Sequence, residues 1–161
     1  GVVNKDVIDK LLYFSKREGV ALKDILIGLY AFVLYQFSEF DTVSFYKIQN
    51  KLFSKISIDF GDIESNKELF KVVADEVECF GQIKKVNYEL EAKDSNRVCA
   101  LYCEEYLSKD ELLSIKSLFD IRIFVSKTEG ELNIDFSTSE KISHTLATDM
   151  FTKYVNLLNS L

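Results

Sequence analysis

The chain has 161 residues, 47% of them hydrophobic, a length and apolar content that build one ordinary domain with its own core. Its net charge of −6 argues against the clustered Lys/Arg surfaces through which nucleic acids and anionic membranes are bound. With a single histidine, His144, it is poor in groups that change protonation near neutral pH, which weighs against most hydrolytic, acyl-transfer and metal chemistry.

In chain order, Asn4 to Gly19 reads as an amphipathic helix, with Asn4 as its cap, Val7, Ile8, Leu11 and Leu12 on one face, and Gly19 as its stop. Leu22 to Phe37 is a helix apolar nearly all round, the pattern of an element enclosed on most sides. Gly28 inside it marks a close approach of another element, since glycine costs a helix interior about 1 kcal/mol relative to alanine. Asp41–Lys47 and Phe53–Asp59, the latter running on to Phe60, alternate like strands, and the short Ile48–Leu52 between them predicts a hairpin or tight crossover. Ser65-Asn66-Lys67-Glu68 has the spacing of a capping box and opens a helix expected to reach Ile83.

Val86–Ala92 and Arg97–Cys103 are predicted strands joined by the turn residues Lys93–Asn96. Ser108-Lys109-Asp110-Glu111 is a second capping box, opening a short helix through Leu118. Phe119–Ser126 and Glu131–Ser137 are strands joined by a turn at Lys127–Gly130, and Glu140 to Leu161 closes the chain as a helix. Helices alternating with strand pairs predict an α/β fold, one mixed sheet with helices packed mainly on one face.

Few residues invite chemistry. His144 has no carboxylate placed to orient it, since Asp149 is five residues on and faces elsewhere on a helix. Asp120 and Arg122, two apart, are expected to form a structural ion pair. Asp59, Gly61, Asp62 and Glu64 place oxygen ligands close together, but not at the spacing of a calcium loop, so they read as a turn. Cys79, Cys99 and Cys103 lack metal-ligand spacing and are expected to be reduced, mostly buried thiols; Cys79, beside Glu78, is a poor nucleophile. Reduced thiols imply the cytoplasm. Lys5, Asp6, Asp9 and Lys10 break the apolar run that a secretory leader needs, and Ile25 to Tyr35 is too short to span a bilayer. The aromatics Tyr30, Phe32, Tyr35, Phe37 and Phe40 are expected in the core, with a docking patch arising if part of them lies exposed beside Phe45 and Tyr46.

Several of these segments resemble a family. Glu18-Gly19-Val20, the apolar Leu26–Leu34 and Asp41-Thr42-Val43 are similar to consecutive pieces of the condensation domains of nonribosomal peptide synthetases. Phe119–Val125 resembles that family's Phe-Asp-Leu strand, and Gly130–Phe136 with Tyr154-Val155-Asn156-Leu157-Leu158 resembles its last strand and terminal helix. The resemblance implies a chloramphenicol-acetyltransferase-like fold, in which two lobes flank a tunnel. The whole chain, residues 1–161, then corresponds to the C-terminal lobe alone.

The departures from the family matter as much. Its catalytic His-His-x-x-x-Asp-Gly belongs to the other lobe, and no two adjacent histidines occur here. The glycine that follows the Asp-x-Val strand is absent, with Tyr46 and Lys47 near its place. The segment that crosses between lobes is cut to Lys47–Lys55. No catalytic residue, cofactor or metal ligand carries over. The resemblance therefore implies a non-catalytic interaction or docking module in or between peptide synthetase subunits, with a protein partner. Its expected contact is Lys47, Lys51 and Lys55 with Phe45 and Tyr46. Two alternatives stand beside it. The chain could be half of a split acyltransferase completed by a separate histidine-bearing lobe, or an unrelated cytosolic α/β binding domain.

Overall fold

A computed structural model of the chain describes residues 1–49, 51–75, 78–81, 98–128 and 130–161, with backbone only at 78–81. The elements are β1 (Val2–Val3), α1 (Lys5–Glu18), α2 (Leu22–Gln36), β2 (Thr42–Gln49), β3 (Leu52–Asp59), a 3-10 turn (Phe60–Asp62), α3 (Asn66–Asp75), β4 (Glu78–Gly81), β5 (Ala100–Cys103), α4 (Lys109–Leu118), β6 (Ile121–Thr128), β7 (Glu131–Thr138) and α5 (His144–Ser160). Among the described residues the strands form one mixed sheet in the order β1-β7-β6-β5-β2-β3-β4. The central β2, β5 and β6 are parallel, and every other pairing is antiparallel.

Local chemistry sets the helix ends. The Asn4 side chain accepts the Asp6 N–H at 2.9 Å, and Gly19 closes α1 in the left-handed region at φ 66°. Ser108 and Glu111 form the full reciprocal capping box of α4. The box at Ser65 is half made. Ser65 Oγ accepts the Glu68 N–H, while the Glu68 carboxylate takes the Glu64 N–H, one residue earlier than expected.

Two cores sandwich the sheet. Alternation along β2 sends Val43 and Phe45 to one face, under α2, and Tyr46 and Ile48 to the other. The first face is the larger and lies under α1, α2, α3 and α5; the second packs against α4 through Ile115, with Phe53, Leu101 and Phe119. Helix α2 is central, buried continuously from Asp24 to Ala31. Its Tyr30 ring meets Phe45, Tyr102 and Tyr154, and the Tyr154 hydroxyl donates to the Leu26 carbonyl at 2.9 Å. Gly28 is required by packing: a Cβ there would lie 2.6 Å from the ring of the fully buried Phe70.

The structure corrects several boundaries. Helix α3 ends at Asp75, far short of Ile83, and residues 78–81 pair with β3 as strand β4. The sequence Asp75-Glu76-Val77-Glu78 brings negative charge to a helix C-terminus that has no basic residue in its last turn, the unfavourable sign for the macrodipole. The open edge of β3 supplies the competing partner for the backbone. Phe60 leaves the strand for a 3-10 turn, and the last helix begins at His144, capped by Ser143, rather than at Glu140. The expected strand Val86–Ala92 and turn Lys93–Asn96 lie outside the described residues.

Candidate functional site

The β2–β3 hairpin closes on the pair Gln49 and Leu52. Lys51 stands there at φ 62°, a left-handed conformation that most side chains avoid. What holds it is a set of contacts to the connection between β5 and α4. The Lys51 N–H donates to both Glu105 carboxylate oxygens at 3.1 Å, and its ammonium reaches the Tyr106 carbonyl at 3.1 Å and Glu111 Oε1 at 3.2 Å. Glu111 is held below the usual carboxylate range first by the Ser108 N–H and then by Lys51. One carboxylate thus caps α4 and ties down the hairpin tip.

The five residues expected to meet a partner do not share a surface. Phe45 is buried under α2, and Tyr46 is buried on the opposite face, edge-on to Phe119 at 5.7 Å. Lys47 is only 8% exposed and sits near Asp24, Lys23 and Glu104. Burial lowers its pKa, and the same burial raises that of Asp24. Lys55 pairs with Tyr46 across the hairpin, so it projects from the face opposite Lys47. Of the three lysines, Lys51 is exposed but tied to Glu111, and Lys55 is half-buried. The expected strip of lysines is therefore broken by strand alternation.

His144 is the exposed first residue of α5; its carbonyl accepts the Thr148 hydroxyl at 2.9 Å, and among the described residues its ring has no hydrogen-bonding partner. Asp149 is exposed as well. The expected Asp120–Arg122 ion pair is replaced by separate partners. Asp120 accepts from the Cys99 N–H at 3.1 Å and the Ser139 hydroxyl at 2.8 Å, with the Lys141 ammonium at 4.0 Å. Arg122 donates to Ser137 Oγ at 3.0 Å and to the Lys116 carbonyl at 3.1 Å. Asp120 stands just outside β6, so the two side chains do not fall in strand register.

The Asp59–Glu64 segment is a turn, its Asp59 carboxylate accepting the Gly61 N–H at 2.9 Å. Among the described residues no group of three His, Cys, Asp or Glu side chains is placed to hold a metal. Cys99 and Cys103 are free thiols, Cys103 buried and pushed up to about 11 by burial; the Cys79 side chain lies outside the described residues. Sequence reasoning missed the buried pair Asp24 and Lys47, with half-buried Glu104 near them. Its only signal was a carboxylate in the first turn of an otherwise apolar helix.

No family model matches the chain, and no curated protein matches it by sequence. Its likeness to solved structures is strong in fold and faint in sequence. It superposes on the cyclization-docking bidomain of the EpoB peptide synthetase from Sorangium cellulosum with a TM-score of 0.69 at 10% identity, covering 98% of this chain and 40% of that one. It is similar to the first condensation domain of the CDA synthetase, with a TM-score of 0.66 at 11% identity, covering 98% of this chain and 44% of that one. Polyketide synthase associated protein 5 from Mycobacterium tuberculosis gives a TM-score of 0.69 at 7% identity, covering 98% and 49%. The chain thus spans between two fifths and one half the length of these structures. Its α/β fold is that of a condensation-domain lobe. None of its described helices is long and apolar enough to cross a membrane.

Proposed function

We propose that the chain is a non-catalytic, condensation-like C-terminal lobe that serves as an interaction or docking module in or between peptide synthetase subunits. The observation that carries the reading is the placement of its sole histidine. His144 is exposed, at a helix start, with no orienting group among the described residues, whereas a general base must be held within hydrogen-bond reach of a nucleophile and an orienting partner. The fold's extent agrees, since nearly all of this chain matches less than half of each of these similar structures. One fold serves many functions, so the assignment rests on the isolation of His144 among the described residues rather than on the fold. The cytoplasm is the compartment that fits a protein with free thiols and such a partner.

The test is turnover of aminoacyl and peptidyl thioesters by the isolated chain. No transfer or hydrolysis above background is expected, and activity that vanishes in His144→Ala overturns the proposal. Coverage of under half of those structures also favours the split-enzyme reading. That reading predicts turnover only when a separately expressed histidine-bearing lobe is added.

A further inference from the structure

The corner where α2 runs into β2 carries a feature that the proposed role does not use. Tyr35, Gln36, Ser38, Glu39, Phe40 and Asp41 line an open cavity of about 320 Å³, at the lower end of the range for small-ligand pockets and room for one long side chain rather than a cofactor. Tyr35 is braced from behind, stacked on Phe60 with ring centroids 4.4 Å apart. Phe60 is in turn fixed by its N–H to the Asp41 carbonyl at 2.9 Å. Phe40 is 72% exposed, although an aromatic ring of its size gains from burial.

The charge of this corner is one-signed. Glu39 and Asp41 line the cavity, and Asp59 and Asp62 lie exposed on the adjoining turn. Asp59 Oδ1 and Asp41 Oδ2 converge there, 3.1 and 3.9 Å from where a Cβ on Gly61 would sit. Among the described residues none of these four carboxylates joins an ion pair. The C-terminal end of α2, itself the negative pole of the helix, has no basic residue in its last turn. Carboxylates, a helix C-terminus and an aromatic face all favour a cation.

We propose that this cavity docks a Lys or Arg side chain of a basic segment in a partner protein, with an apolar neighbour of that side chain lying on Phe40. The complementarity follows from four exposed carboxylates on this corner, none in an ion pair among the described residues. The inference goes beyond the docking role and does not depend on the absence of catalysis, since its test reads binding alone.

The isotope-labelled full chain is titrated with the acetylated, amidated tripeptides Arg-Phe-Arg and Glu-Phe-Glu while backbone amide NMR shifts are followed. Saturable shifts confined to residues 35–41 and their neighbours are expected with the basic peptide only. The pair Glu39→Gln and Asp41→Asn should weaken that binding about tenfold, and Phe40→Ala should weaken it independently. All three positions are exposed, so melting temperatures should stay near the parent's; if the paired variant unfolds, Phe40→Ala decides. Undiminished binding in the folded variants, equal response to the acidic peptide, or shifts elsewhere overturn the proposal. Shifts at 35–41 that grow with protein concentration in the absence of peptide overturn it too, by assigning the site to a second copy of the chain.

Discussion

Cys103 shows how burial silences a group that looks reactive in a sequence. Desolvation raises its thiol from 9.0 to about 11, which lowers the thiolate fraction at pH 8 roughly 100-fold. Alkylation at pH 8 followed by peptide mapping should therefore modify Cys103 at least tenfold more slowly in the folded chain than in urea, and equal rates would contradict its burial. The pH dependence has a definite sign. The folded state holds the thiol proton more tightly, so the stability linked to it is whole below about pH 9 and is lost as pH rises toward 11. Asp120 makes the same point about neighbours. Its carboxylate satisfies the Cys99 N–H and the Ser139 hydroxyl, so Asp120→Ala should cost about 1–2 kcal/mol by leaving two part-buried donors without their acceptor. A double-mutant cycle of Asp120→Ala with Arg122→Met should show less than about 1 kcal/mol of coupling, since the Asp120 charge acts on Arg122 without a direct hydrogen bond between the two. A coupling above about 1 kcal/mol would restore the ion pair that sequence spacing suggested.

Among the elements, α2 carries the fold. Leu29 is buried, and truncation to alanine should cost about 2–5 kcal/mol. Since each kcal/mol moves the melting point of a chain this size by roughly 2–4 °C, a Leu29→Ala variant melting within a degree or two of the parent would disprove the burial. Gly28→Ala is the sharper test, because helix propensity and packing oppose each other. Alanine gains about 1 kcal/mol of propensity, but its methyl would sit 2.6 and 2.9 Å from two atoms of the Phe70 ring, which has no free side to yield to. Overpacking of this kind costs about 1–3 kcal/mol, so a net loss of stability is expected. The helix–strand conflict after Asp75 shows the same competition with the opposite outcome. There the apolar period ran on, but acidic residues at the helix end and the unpaired edge of β3 turned 78–81 into a strand.

At the scale of the molecule, two cores share one sheet. Phe45 and Tyr46, neighbours on β2, enter opposite cores, as do Leu101 and Tyr102 on β5. A strand cannot leave one core without opening the other. Truncation on either side, Leu29→Ala above the sheet or Ile115→Ala below it, should therefore lower a single cooperative transition. Two separated melting steps would show instead that the α4 side folds on its own.

The number and kind of most helices, the two hairpins flanking the sheet's centre and the α4 capping box were legible in residue order. Each depends on contacts within a few residues or on a period of 3.6 or 2, which the sequence by itself determines. The half-lobe likeness to condensation domains was legible in the same way, because it rests on the order of apolar segments. Tertiary structure alone decided which lysines reach solvent, since alternation across the hairpin places Lys47 and Lys55 on opposite faces. It also decided the partners of Asp120 and Arg122, the strand at 78–81, and the acidic aromatic corner at residues 35–41. These depend on which distant segments arrive at the same place, and a one-residue change in register or a competing sheet edge redirects them without altering any local signal.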